Sequence, residues 1–488
     1  MDSAWWGKTL KAHLRPGPLL DLVPAGQEPD PVDADQWADD RRIPADTLRD
    51  VLLWAVRHPA KIDPHGLRVR GAHVTGLLDL ANMDIPCPIE LADCRLSDDI
   101  SLAATTLPTL SLRGSRIGGG TSTDADRSAL TLDAAHITGD VLLNEGFTAQ
   151  GKIRAIGATI GGELNLGGAT LTNPGADALT LDRTRVTGSV FMHKGFTADG
   201  KIRAIGATIG GQLNLRGATL TNPEAEALTL QASHITGLVL LDDCVNITGT
   251  VNLASSHIET LVCPTEGCPP GSLFANGWHV RFIHGQVGSD AKTAQTWLDR
   301  PKDQSSSPQP GRELADILDR AGHPDQARTM RYNAAQEVAK QSKGWTRFRL
   351  TAYNLLAGHG YYPHRVIGWL FGIVVVAATV ACTQPQLFEP TDYLKAKAAT
   401  ETAAEQSKAS APEQLTGDTP CPELGAYPCF PPMIYALQTV MPPATAVTTT
   451  AWQPAATPTL ALFTVLKGAS WILAVLFLGT ITGLLKKT

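Results

Sequence analysis

Nowhere in its 488 residues does this chain carry a G-x-G-x-x-G turn between a strand and a helix, or a C-x-x-C pair. The first absence removes the usual cradle for a dinucleotide pyrophosphate, and the second the commonest dithiol redox couple. Gly7-Lys8-Thr9 lacks the upstream glycine of a phosphate-binding loop. The first 25 residues hold charges but no clean apolar core of a secretory signal, so none is expected. Aromatic residues make up 6% of the chain. A formal net charge of −6 argues against a general nucleic-acid binder.

What the chain does carry is a repeat. Residues 151–162, GKIRAIGATIGG, return letter for letter at 200–211. Inside that repeat lies a shorter phrase: a small residue, any residue, Ile or Val, any, Gly, then alternating aliphatics. It reads AHVTGLLDL at 72–80, AHITGDVLL at 135–143, ATIGGELNL at 158–166 and SHITGLVLL at 233–241, with degenerate copies between. The first aliphatics are Val74, Leu96, Ile117, Ile137, Ile160, Val186, Ile209, Ile235, Ile258 and Val280, between 20 and 26 residues apart. Period-2 alternation in units of that length, each broken by a glycine, describes the coils of a β-solenoid. Ankyrin, TPR and HEAT arrays, with a helical interior period, fit poorly. The echo then spans two coils, and about ten coils make a rod on the order of 45–50 Å long. The glycine is expected to turn a corner through positive φ or a close backbone approach. Asp98 fills its slot in CRLSDDISL. The inserts TNPGAD and TNPEAE should bulge outward as loops.

By strand alternation, the residue before each inward aliphatic faces solvent. Along the ten coils these are His73, Arg95, Arg116, His136, Thr159, Arg185, Thr208, His234, His257 and His279. The expectation is one basic, partly titratable stripe on a single face, suited to an acidic protein or another anionic partner. A solvated outer ladder is the plainer reading of the same residues.

The repeat, at 61–290, is bracketed. Residues 1–60 read as a cap whose helix spans 43–58, with Leu48, Val51, Leu52 and Val56 inward and Asp46 as candidate N-cap. Residues 291–310 read as a linker, and 311–345 as an αα-hairpin broken at Gly322-His323-Pro324. A juxtamembrane amphipathic segment at 346–365 precedes an uncharged run at 366–383. A second apolar run, 465–485, has its one charge, Lys467, at its edge. Both runs are long enough to cross a bilayer. Basic residues flank them, and the intervening 384–464 is rich in acids, so the positive-inside rule places both termini in the cytoplasm and the loop outside. Trp345, Arg347, Arg349, Tyr361, Tyr362, Arg365, Lys486 and Lys487 are the expected interface anchors. PPMIYALQTVMPP in the outer segment reads as a re-entrant or surface-lying helix, or as a packed loop.

Cysteine usage follows that topology. Cys421 and Cys429 fall where a disulfide can persist, whereas Cys87, Cys94, Cys244, Cys263 and Cys268 fall on the cytosolic side and read as thiols. Cys263 and Cys268, with His257, His279 and His284 nearby, match no standard zinc spacing.

The cadence KIRAI-GATIG-GELNL-GGATL resembles the pentapeptide-repeat proteins, which implies square, right-handed coils. GHGYYPHR before the first apolar run, then PPMIYALQTVMPP, AWQP and a run ending GLLKK, resemble a set of bacterial membrane-associated proteins common in actinobacteria. That resemblance covers nearly the whole chain apart from about 385–420. Members are often labelled membrane-associated oxidoreductases, which implies a redox enzyme at the bacterial inner membrane. The residues themselves favour a scaffold that contacts membrane lipid and a protein partner, with no catalytic residue, cofactor or metal assigned. An oligomeric assembly or pore is the third reading; neither apolar run, as delimited here, carries an internal ionisable residue to favour it.

Overall fold

A computed structural model describes residues 2–15, 19–26, 28, 31–118, 127–242, 245–299, 307–407, 410, 412–442 and 451–482. The chain forms two compact units, Met1–Ala334 and Ala335–Thr488.

The first unit is a parallel β-solenoid of about nine turns. Each turn lays one short strand on each of four faces. In the turn beginning at Leu67, the strands are Leu67–Arg70, His73–Thr75 and Leu78–Asp79. The fourth face is reached at Asp84, bridged to Thr106. Stacking is in register, as in Ile100, Leu130, Ile153, Leu179, Ile202 and Leu228 on the third face. All six are buried, and each such side chain stabilises the stack by about 1.5–3 kcal/mol. Ile153 and Ile202, equivalent in the two copies of the echo, are separated by Leu179, so the 49-residue period is two turns.

Nine turns replace the expected ten. The step from Ile117 to Ile137 is not a turn. Ile117 stacks on Leu96 and Ala149 of the second face, whereas Ile137 stacks on Leu107 and Ile160 of the fourth. Both belong to the one long turn that opens at Leu110 and closes at Val141. An insertion of nearly the length of the missing half-turn counterfeited a coil.

Five phrase glycines serve close approach, whereas Gly76 of AHVTGLLDL takes positive φ, at +91. Gly139, Gly162, Gly188, Gly211 and Gly237 stack at the corner between fourth and first faces, and none has positive φ. A Cβ on Gly162 would stand 2.9 Å from the Gly139 carbonyl carbon. Asp98 likewise lacks positive φ, and its Oδ2 accepts from the Gly76 amide at 3.1 Å. The left-handed residues lie at other corners and include Ala134, Arg183 and Ala232. TNPGAD and TNPEAE bulge inside the strands Thr170–Thr180 and Thr219–Thr229. There the Asn173 and Asn222 side-chain amides donate to the carbonyls of Asp177 and Glu226 at 2.7 and 2.8 Å.

Helices close both ends of the core. α1 (Ser3–His13), which patterning did not signal, buries Trp6 and Leu10. α2 (Ala45–Arg57) buries Leu48, Val51 and Leu52, while Val56 is half-buried. Its N-cap is Pro44 and Asp46 lies in its first turn, which corrects the expected cap. The segment before α2 also adds edge strands: Leu20–Asp21 pairs with Val69–Arg70, and Arg42–Pro44 with His73–Thr75. After the last turn, the expected linker starts as a helix, α3 (Ala291–Leu298), with Asp290 accepting from the Thr293 amide at 2.9 Å. Its Trp297 meets Trp278 edge-on at 6.2 Å. Residues 300–306 of that linker lie outside the described residues. α4 (Gln309–Arg320) and α5 (Pro324–Gln341) follow. Arg331 of α5 reaches Asp316 and Asp319 of α4, each at 2.9 Å.

The second unit contains α6 (Gly344–Ala357), α7 (His364–Thr383), α8 (Tyr393–Ser407), α9 (Pro432–Val440) and α10 (Thr457–Ile481). α7 and α10 are long and apolar enough to cross a membrane, and only 17% of each apolar stretch is buried. α10 begins well before residue 465, so Lys467 lies inside the helix and not at its edge. PPMIYALQTVMPP contains a helix, α9, which buries Tyr435, Ala436 and Val440. The described residues between α7 and α10 also include regular structure beyond α8 and α9. Phe388–Pro390 pairs antiparallel with Trp452–Pro454, and Phe388, Phe430, Tyr435 and Phe463 pack ring against ring.

Candidate functional site

The expected single stripe divides into two columns. His73, Arg95 and Arg116 stack on the second face, continued by Thr148. His136, Thr159, Arg185, Thr208, His234, His257 and His279 stack on the fourth, following Thr106. The long turn that hid its half-turn in the spacing also hid this change of face.

The second-face column is largely withdrawn from solvent. His73 is 4% exposed, and its Nε2 lies 2.7 Å from Ser97 Oγ. Arg95 and Arg116 are half-buried, and the short 3₁₀ helix Pro31–Gln36 contacts the Arg95–Leu96 strand. Most other cations on the rod pair with acids one turn away. Glu90 joins Arg68 and Arg113 at 2.8 and 2.9 Å, Arg154 joins Asp133 at 2.6 Å and Arg203 joins Asp182 at 2.7 Å. Such pairs fix register between turns and cancel the local field.

On the fourth face, His136, Arg185, His234, His257 and His279 are exposed. The last three form a stack, with ring centroids 5.9 Å apart for His234–His257 and 5.1 Å for His257–His279. They line a groove of about 350 Å³ together with Glu259, Arg281, Glu313 and Arg320. Arg281 Nη1 lies 2.8 Å from Glu259 Oε1. Helix α4 forms the far wall. Its Glu313 Oε2 lies 3.8 Å from His279 Nδ1, and the Arg320 guanidinium donates to the carbonyls of Arg281 and Val280. At the head of α4, the Gln309 side chain donates to Trp278 O and accepts from the Gly277 amide, both at 2.9 Å. That amide does for the last turn what the backbone of a further turn would do.

Sequence reasoning reached the three histidines and missed their neighbours. Glu259 and Arg281 lie two positions beyond His257 and His279, on the same side of their strands, and that signal was readable. Glu313 and Arg320 arrive from a distant helix, and nothing in local patterning marks them.

Three thiols of the rod, Cys87, Cys94 and Cys263, are poor candidates for chemistry. Burial pushes the Cys87 thiol up to about 11 and the Cys94 thiol up to about 12. Cys263 is buried and its thiol is also pushed up by burial, which opposes thiolate reactivity. It points into the core, while His257 and His279 are exposed. Among the described residues no cluster of three or more His, Cys, Asp or Glu could hold a metal ion. Cys244 lies outside the described residues.

In the second unit, Trp345 and Phe348 are exposed and stacked at 5.2 Å, with Arg347 and Arg349 exposed beside them. Arg365 lies over the Tyr362 ring at 5.3 Å, and Tyr361 is half-buried. Between α6 and α7, Gly358, His359 and Gly360 all have positive φ. His359 is buried in that turn, and burial lowers its pKa below the ordinary value. Cys421 and Cys429 are bonded through sulfur, with Cα atoms 5.4 Å apart. Lys486 and Lys487 lie outside the described residues.

Fold and site together define a parallel β-solenoid protein with a histidine-lined groove on one face and two candidate membrane-crossing helices. No family model, curated protein or solved structure matches the chain.

Proposed function

We propose that the protein is a membrane-anchored scaffold, with α7 and α10 crossing the inner membrane of a bacterium and the solenoid displayed in the cytoplasm. The observation that carries this is the exposure of α7 and α10. Ile367, Phe371, Val375, Ile472, Val475 and Leu478 all face outward, and apolar surface on that scale is stable only against lipid or protein. Trp345, Arg347, Arg349 and Arg365 on the segment before α7 suit the cytoplasmic headgroup layer. Both termini are then cytoplasmic, and 384–456 lies outside, where the Cys421–Cys429 bond can persist.

The fourth face is the docking surface for a protein partner with acidic groups. Its exposed His136, Arg185, His234, His257 and His279 lie in one column of one residue per turn, with Thr159 and Thr208 on either side of Arg185. A photo-crosslinking residue at position 257 of the full-length protein in cells should trap a discrete partner, and one at position 95 on the second face should not. Equal trapping at both positions, or trapping at neither, refutes the docking surface.

A further inference from the structure

The second unit contains a groove of about 400 Å³ bounded by α7, α10 and the C-terminal end of α9, lined by Leu370, Val374, Val440, Met441, Trp471 and Ala474 among others. Its third wall is held in place by a hydrogen bond. Ser470 Oγ, thirteen residues into α10, donates to the Val440 carbonyl at the end of α9. That bond sets the tip of α9 about 20 Å along α10, beside the middle of a helix that the proposed function places in the bilayer. Within α9, Thr439 Oγ donates to the Tyr435 carbonyl at 2.8 Å, and the helix turns Met433, Ile434 and Leu437 outward. An apolar outer face of this kind suits contact with lipid.

One charge interrupts this surface. Lys467 is the only ionisable residue between Thr457 and Ile481, and it is exposed. It stands three and four positions before Ser470 and Trp471, so it shares the helix stripe that continues to Ala474 and Leu478. A lysine within a bilayer-facing helix is costly unless its ammonium reaches the interface or an anion. Lys467 stands one helical turn before Ser470 and Trp471 of the groove wall, toward the outer end of α10 in the proposed topology, and the groove itself is almost wholly apolar.

We propose that this groove binds an anionic phospholipid of the outer leaflet, with an acyl chain against Leu370, Val374 and Ala474 and the phosphate on Lys467. The inference rests on the reading of α7 and α10 as membrane-spanning. Trp471 in the groove wall reports occupancy directly. Full-length protein is reconstituted into vesicles containing phosphatidylglycerol or phosphatidylcholine with brominated acyl chains, and the Trp471 signal is taken as the difference between wild type and Trp471→Phe. The expected result is tighter quenching by brominated phosphatidylglycerol, by about fivefold in apparent affinity, the scale of one lysine at a lipid surface. Lys467→Gln should abolish the preference, Lys467→Arg should keep it, and Ala474→Phe should fill the groove and reduce quenching by both lipids. Equal quenching of wild type by the two lipids, or an unchanged preference in Lys467→Gln, overturns the site while leaving the membrane reading intact. Protein that fails to float with either vesicle overturns both.

Discussion

The Gly188 amide donates to the Gly162 carbonyl at 3.0 Å, and a Cβ added to Gly188 would stand 2.6 Å from that same oxygen. The hydrogen bond that stacks one turn on the next therefore leaves no room for a side chain. Gly188→Ala should destabilise the solenoid by about 2 kcal/mol, the scale of an overpacked site. Gly157 is a contrast, because a Cβ there meets nothing within 4 Å despite φ +66. Gly157→Ala should cost about 1 kcal/mol, the ordinary price of a left-handed residue. Ala134 and Arg183 already hold such a conformation at the matching corner. Thermal melts of the two variants in detergent check the order; equal losses would deny the close approach its role.

The division of the basic residues into two columns makes a prediction about binding. Replacing His234, His257 and His279 by serine should weaken capture of the acidic partner by at least about tenfold, the loss of two or three exposed charge-assisted contacts. Replacing Arg95 and Arg116 by serine should leave it unchanged. Quantitative pull-down with the full-length variants distinguishes the columns, and an equal effect from both sets would restore the single stripe.

Cys87, Cys94 and Cys263 should resist maleimide at pH 8 in the folded protein and react once it is unfolded. Their thiols are buried and their pKa values raised, and the thiolate is the reactive form. Mass spectrometry of labelled peptides gives the answer residue by residue. Rapid labelling of Cys263 in the native state would contradict it and reopen a redox role.

His359 gives a pH dependence with a definite sign. Its folded pKa is lowered from 6.5 by burial. As pH falls through about 6.5, the unfolded chain takes up a proton that the buried ring still refuses, so stability falls with it. Between pH 7.5 and 5.5 the wild type should lose more melting temperature than His359→Gln. An identical loss in both would remove His359 as the source.

Much of the solenoid was legible because its core repeats one physical demand at every turn. Ile160, Val186, Ile209, Ile235, Ile258 and Val280 do stack as their phrase implied. The failure at Ile117–Ile137 has a plain cause, since spacing counts residues and cannot tell a turn from half a turn plus an insertion. Local patterning also could not see α1, whose burial depends on Trp6 and Leu10 meeting a core assembled elsewhere. In the site, the histidines followed strand alternation. Glu313, Arg320 and Gln309 reach the groove only because α4 packs on the last turn, a tertiary fact without a local signature. Lys467 was misjudged because hydropathy marks an apolar core more sharply than it marks where a helix begins.

The proposed scaffold requires α7 and α10 to cross the membrane with the solenoid on the cytoplasmic side. Single cysteines at position 401, in the segment between them, and at position 326, in the solenoid unit, test it in intact cells with a membrane-impermeant maleimide. Labelling is expected at 401 without lysis and at 326 only after it. Labelling of 326 in intact cells, or protection of 401 until lysis, would contradict it.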